Sequence, residues 1–227
     1  LRKFDWLFLI VSFILLVALF FPGVGTEVNG SMRWIRFGPI NIQPSEVAKF
    51  CMLIYISGYC VRRLEEISST SGFVRPLLVL ALFASLILIQ PDYGSAAILC
   101  LIVMALLFFA GISLHQFLIL IILFIILGGI AIFFEPYRLI RLLSFVNPFE
   151  DIQDSGWQLA QSLISLGQGG WLGLGLGNSI QKNLFLPEAH TDFIFAILIE
   201  ELGIIGGIAL ILIYIFLLTG VFKVSFE

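Results

Sequence analysis

The sequence is short of charge: only 12% of its 227 residues are Asp, Glu, Lys or Arg. Soluble domains carry about 25%, so a soluble globular fold is excluded. No block of like charge occurs and the formal net charge is −3, which excludes a basic nucleic-acid-binding surface. Cysteine is scarce as well. Cys51, Cys60 and Cys100 sit in apolar segments at spacings that fit no metal site, and an odd count argues against a disulfide framework. Each reads as a small buried hydrophobe. The chain opens LRKFDW without an initiator Met, and no small-residue cleavage pattern flanks the first apolar run. A signal peptide is therefore not expected, and the sequence reads as a portion of a longer protein.

What is present is hydrocarbon. Hydrophobic residues make up 60% and the mean hydropathy is +1.10. A helix needs roughly 20 apolar residues to cross a bilayer. Segments near 6–22, 46–63, 74–91, 93–112, 115–134 and 193–222 approach that length, predicting an all-α polytopic membrane helix bundle, one integral-membrane domain over 1–227. Two connections are long, 23–45 and 135–192. Arg2, Lys3, Arg62, Arg63, Arg75 and Lys223 gather on one face if the segments alternate, against Arg33, Arg36, Arg138, Arg141 and Lys182 on the other. The first face is expected to be cytoplasmic, with both ends of the chain on it and both long loops outside.

The 135–192 loop has its own pattern. Pro136 followed by Arg138 and Arg141, and the segment GWQLAQSLISLG with polar residues on one face, predict short interfacial helices. GQGGWLGLGLGNS then supplies six glycines between 167 and 177, which lets the backbone approach a ligand or another helix closely.

Ionisable groups concentrate where the last apolar segment begins, in LPEAHTDFIFAILIEELG. Asp192 immediately precedes the predicted helix and has two readings, an N-cap acid or a general base at the membrane surface. Glu200 lies about 12 Å deeper along a helix. It and Glu201 are expected to face the bundle interior, as partners for a cation such as Lys49 or as part of a polar pathway, the structural role being favoured. RWIR, from Arg33 to Arg36, suits either phosphate recognition or headgroup anchoring. In QPSEVAK the Pro-Ser-Glu part predicts a helix cap, and Lys49 one turn inside is either a snorkelling lysine or a second phosphate cation. QPDYG predicts a tight turn with Asp92 capping the next helix. His190 reads more readily as a hydrogen-bonding neighbour than as a base, and no second His or Cys completes a metal site.

Four blocks in this order, GSMRWIRFGPINIQPSEVAK, QPDYGSA, RLLSFVNPFEDIQDSGWQLAQSLISLGQGGWLGLGLGNS and LPEAHTDFIFAILIEELG, resemble the SEDS family of shape, elongation, division and sporulation proteins. The likeness runs from about Trp6 to Phe222, and Ala189 places it nearer the cell-division branch than the rod-elongation one. The family usually has ten transmembrane helices, of which these six resemble the third through eighth. The resemblance implies a peptidoglycan glycosyltransferase of the bacterial cytoplasmic membrane, polymerising glycan strands from lipid II with inversion and release of undecaprenyl pyrophosphate. It implies Asp192 as catalytic base, Arg33 and Lys49 as cations that offset pyrophosphate charge, and Glu188 and His190 as substrate-site neighbours. It implies a class B penicillin-binding protein (transpeptidase) and other divisome or elongasome membrane proteins as partners. A divalent cation is compatible with such chemistry, although the sequence carries no ligand cluster for one. Two other functions fit the bare residues: a lipid-linked precursor flippase, and a non-catalytic scaffold using the Gly203, Gly206 and Gly207 face of the last helix. The concentration of ionisable groups on one half of the membrane favours surface chemistry over a path through it.

Overall fold

The computed structural model describes residues 4–28, 31–38, 40–134, 139–140, 143–149, 156–184, 186 and 191–226. The expectations for Arg138, Arg141, Glu188 and His190 lie outside the described residues. Helices are α1 (Asp5–Ala18), α2 (Pro44–Arg62), α3 (Thr70–Ile89), α4 (Tyr93–Phe109), α5 (Leu114–Phe133), α6 (Trp157–Gly169), α7 (Gln181–Leu184) and α8 (Ile194–Phe226). The chain is a helical membrane protein, and it divides into two compact units, Leu1–Gly128 and Gly129–Glu227.

Of the six expected spans, α3, α5 and α8 are long and apolar enough to cross a bilayer, while α1 and α4 are apolar but shorter. The exception is α2, which is long enough at 19 residues yet too polar. Its position explains this. Ala48, Met52, Ile56 and Cys60, spaced four apart, lie in the core with Leu16 of α1, Phe83 and Ile87 of α3, and Leu99 and Val103 of α4. One face of α2 packs against neighbouring helices while Phe50, Leu53 and Val61 stay exposed, so Ser45, Cys51 and Tyr59 are tolerated at its buried positions. In contrast α5 buries only Leu120 and is apolar almost all round.

The 23–45 connection is not a plain loop. It folds into a three-stranded antiparallel sheet of β1 (Gly25–Val28), β2 (Ser31–Phe37) and β3 (Ile40–Ile42), in the order β1-β2-β3. The register pairs Thr26 with Trp34, Ile35 with Ile42 and Arg36 with Asn41. The register slips by one between the Thr26–Trp34 and Glu27–Met32 pairs, which leaves Arg33 as the extra residue of a bulge, and the two arginines of RWIR belong to different neighbourhoods. Arg33 donates to the carbonyls of Gln90 and Pro91 at the end of α3, whereas Trp34 and Arg36 share a cleft with Thr26 and Asn41.

Opposite ends of this unit are pinned by different chemistry. Where α1 begins and α2 ends, buried Asp5 pairs with Arg62, and the Tyr59 hydroxyl donates to the carbonyl of Gly72 at 2.8 Å. Ser69 caps α3 by accepting from the amide of Gly72. At the sheet end the QPDYG turn gathers the helices. Asp92 caps α4 as expected, accepting from the Ser95 amide, and its other oxygen accepts from Gln43 and Ser45, each at 3.1 Å. The Gln90 side chain donates to the carbonyl of Leu16 at 3.1 Å. The cap expected from Pro-Ser-Glu is correspondingly different. Gln43 stands at the N-cap without a side-chain cap bond and Pro44 opens the helix, while Ser45 is turned inward to Asp92.

Candidate functional site

In the second unit the amphipathic segment forms α6 as predicted, and its polar face packs against α8. Ser165 and Gln161 are buried there. One carboxylate ties α6, the glycine-rich loop and α7 to α8. Glu200 is fully buried. One of its oxygens accepts from the Ser179 hydroxyl at 2.6 Å and the Ser165 hydroxyl at 3.1 Å, and the other from the amides of Ile180 at 3.0 Å and Gln181 at 3.4 Å. Four donors from three segments saturate it, which is the condition under which a buried acid is tolerated.

One turn on, α8 is broken at Gly203, whose φ of 74° and ψ of −179° lie outside the helix. Such a break strands backbone groups that hydrocarbon cannot satisfy. The glycine-rich loop satisfies them. The amides of Leu174 and Gly175 donate to the carbonyls of Glu200 and Glu201 at 2.9 and 3.0 Å, and the amides of Ile204 and Ile205 donate back to Gly170 and Trp171 at 2.9 and 3.3 Å. Contact this close depends on glycine on both sides. A Cβ on Gly173 would stand 2.2 Å from the Glu201 carbonyl oxygen, and one on Gly203 would stand 2.2 Å from that of Trp171. The glycines thus serve approach to another helix, one of the two uses the sequence allows. Lys182 of α7 pairs with Glu201 at 2.9 Å, a second tie across the same junction.

These contacts correct three sequence expectations. The partners of Glu200 are hydroxyls and amides, and Lys49 instead pairs with Glu46 one turn before it, at 2.6 Å. Gly203 is occupied by the protein's own loop, so it is not part of an open small-residue surface. Asp192 is not the N-cap of α8. The first helical carbonyl is that of Phe193, which accepts from Ala196 at 3.0 Å and Ile197 at 3.2 Å, and Asp192 lies one residue earlier. It is exposed. Among the described residues no hydrogen bond or ion pair to its carboxylate is found.

The predicted cations lie in the first unit, at the end where the sheet sits. Arg33 is half-buried and two of its donors are spent on the end of α3, at 3.2 and 2.6 Å. This neutralises carbonyls that a helix C-terminus leaves unsatisfied. Lys49 has 13% of its side chain exposed and keeps donors beyond the one given to Glu46. Asp92 ties the start of α2, and hence Lys49 one turn in, to the turn that Arg33 grips. Sequence reasoning missed Gln43, Ser45 and Gln90 in this assembly. The signal available was the twin Gln-Pro pairs in QPSE and QPDYG, which the fold brings together. Among the described residues no cluster of three His, Cys, Asp or Glu side chains offers a metal site.

Comparison with known proteins places the chain. A family model described as Cell cycle protein, FTSW_RODA_SPOVE, matches residues 1–227. The chain is 45% identical over 216 residues to the probable peptidoglycan glycosyltransferase FtsW of Pseudomonas fluorescens (strain SBW25), covering 95% of this chain and 53% of that one. It is 48% identical over 216 residues to the probable peptidoglycan glycosyltransferase FtsW of Hahella chejuensis (strain KCTC 2396), covering 94% and 54%. The chain thus spans about half the length of the curated relatives it matches. Among solved structures it is similar to a chain from work on the coordination of polymerization and crosslinking by a peptidoglycan synthase complex. The TM-score is 0.74 and the identity 25%, over 99% of this chain and 62% of that one.

Proposed function

The chain belongs to the cell cycle protein family FTSW_RODA_SPOVE, and from that premise we propose that the protein is a peptidoglycan glycosyltransferase that polymerises glycan strands from lipid II during cell division. The observation that carries the catalytic assignment is the contrast at the head of α8. Asp192 is exposed and without a partner among the described residues, while Glu200 is spent on four donors. A general base needs a free lone pair and access to its substrate, and of these two carboxylates Asp192 has both.

In the proposed reaction Asp192 takes the proton from an acceptor sugar hydroxyl as that oxygen bonds to the donor's anomeric carbon. The bond from that carbon to the pyrophosphate oxygen breaks, and its electron pair leaves on undecaprenyl pyrophosphate. A single displacement inverts the anomeric centre. Arg33 and Lys49 are the proposed cations for the departing charge. With two donors of Arg33 committed to carbonyls, its part is a fixed positive charge with three remaining N–H groups. Glu188 and His190 are assigned to the substrate site from the family resemblance alone. A divalent cation is compatible with this chemistry, and among the described residues no cluster of three His, Cys, Asp or Glu side chains marks a place for one.

The same reading puts the protein in the bacterial cytoplasmic membrane with the sheet and the Asp192 end outside. A class B penicillin-binding transpeptidase is the proposed partner, supported by likeness to a chain of a synthase complex that couples polymerization to crosslinking. Asp192→Asn tests the function. In full-length protein assayed with its partner, the rate of glycan-strand formation should fall by on the order of 10²- to 10⁴-fold, the usual contribution of a general base. Thermal unfolding should be unchanged, because no described contact is lost. Near-normal polymerisation by the Asn protein would remove the catalytic assignment and move the flippase or scaffold reading ahead of it.

A further inference from the structure

The sheet separates the two arginines of RWIR, and only one of them is used by the fold. Thr26, Trp34, Arg36 and Asn41 line an open cleft of about 180 Å³. The pairing of Thr26 with Trp34 and of Arg36 with Asn41 makes this a continuous patch across all three strands. Arg36 is exposed and, among the described residues, makes no ion pair. Among the described residues no acid lines the cleft, so there its charge is uncompensated. The donors offered are a guanidinium fork, an amide and a hydroxyl, with an indole beside them. That set matches a phosphate diester and repels no part of it.

The position of the sheet narrows the source. It follows apolar α1 and grips the end of α3 through Arg33, while the start of α2 joins the same turn through Asp92. It therefore sits where these helices leave the apolar layer, at headgroup depth, where Trp is also most stable. We propose that the Trp34–Arg36 cleft is a binding site for the phosphate of an anionic phospholipid headgroup. Arg36 makes the charge-assisted contact, Asn41 and Thr26 add hydrogen bonds, and the Trp34 ring lies against the glycerol region. This site does not depend on the glycosyltransferase reading and is separate from Arg33, which faces the bundle.

The test uses full-length protein in which Trp34 is the sole tryptophan, the others being Phe, in bilayers containing brominated phosphatidylglycerol or brominated phosphatidylcholine at equal mole fraction. Quenching of Trp34 should show phosphatidylglycerol enriched on the order of fivefold over phosphatidylcholine at low salt, the worth of one arginine at an anionic surface. Arg36→Gln should abolish the preference, and Arg75→Gln, at the far end of α3, should leave it intact. Equal quenching by the two lipids, or a preference that survives Arg36→Gln, would overturn the site and leave Trp34 a general interfacial anchor. If inorganic phosphate removes the preference where sulfate at equal ionic strength does not, the cleft takes free phosphate and the lipid assignment is wrong. Native mass spectrometry of protein with its own tryptophans gives a second readout should the single-Trp protein fail to fold. Fewer retained phosphatidylglycerol molecules are expected in Arg36→Gln than in Arg75→Gln, and equal numbers would count against the site.

Discussion

Asp192 and Glu200 stand eight residues apart around the start of one helix, and the fold treats them oppositely. The first is exposed and unpartnered among the described residues, one position too early to cap the helix. The second is fully buried and accepts from two hydroxyls and two amides. A run of acids at a membrane edge is therefore not one feature but two. The saturated carboxylate builds the junction, and the exposed one, without a partner among the described residues, is the one proposed as the base.

The sharpest way to break this comparison is to delete each acid and measure stability. Glu200→Ala orphans the amides of Ile180 and Gln181 in a buried site and should cost on the order of 3–5 kcal/mol, with each unsatisfied donor contributing about 1–3 kcal/mol. Asp192→Ala should stay within about 0.5 kcal/mol, as for exposed sites without special contacts. Reversible unfolding of full-length protein in detergent checks both, and equal losses would erase the distinction. Glu200→Gln sharpens it. The Gln oxygen can still accept from the two amides while its NH₂ faces the Ser165 and Ser179 hydroxyls, which can rotate to accept, so part of the loss should be recovered.

The break beside Glu200 gives the next largest effect. Gly203→Ala places a Cβ 2.2 Å from the Trp171 carbonyl oxygen at a φ of 74°, so the loop must be pushed off the helix. Strain and overpacking together should cost roughly 2–4 kcal/mol. Gly220→Ala in the same helix meets nothing within 4 Å and should be neutral or stabilising, by up to about 1 kcal/mol. If both changes cost the same, the loop is not docked on α8 as described. Loss of this docking should also lower the protection of the Leu174 and Gly175 amides from hydrogen exchange.

How much of this was legible in the sequence depended on the period of the signal. Apolar runs located α1 to α5 and α8, the polar-faced GWQLAQSLISLG located α6, and Asp92 was readable as a cap because its chemistry is local. The glycine-rich run announced close approach without saying to what. Its partner, Gly203, is hidden inside an apolar run that reads as continuous helix, and only a loop 30 residues earlier in the chain makes the break tolerable. The sheet went unread for a different reason. Its strands are short, from three to seven residues, and RWIR was taken as a charge motif when it is part of a strand whose register slips at Arg33. The cap was one of two readings of Asp192 because it abuts the apolar run, but the helix starts one residue later, with Phe193 supplying its first carbonyl.

The separation of the two arginines in RWIR repeats, in the first unit, the contrast between a committed and an available charge, and it supplies the smallest of these effects. Arg33 donates to two carbonyls at the end of α3, groups that have no partner within the helix and that concentrate its negative dipole end. Arg33→Gln removes the charge and shortens the reach, so the carbonyls return to water at the edge of the bundle and the turn holding Gln90 and Asp92 loosens. A loss of about 1–2 kcal/mol is expected, since hydrogen bonds to charged groups contribute about 1.5–3 kcal/mol and this site is only half-buried. Arg36→Gln, which gives up no described hydrogen bond, should change stability by less than about 0.5 kcal/mol. The two substitutions are chemically identical and three residues apart, so net charge and side-chain size cancel in the comparison. A difference in unfolding free energy reports only which side of the sheet each arginine occupies. Equal effects would mean that β2 does not hold the register pairing Arg36 with Asn41, and the assignment of Arg33 to the end of α3 would fall with it.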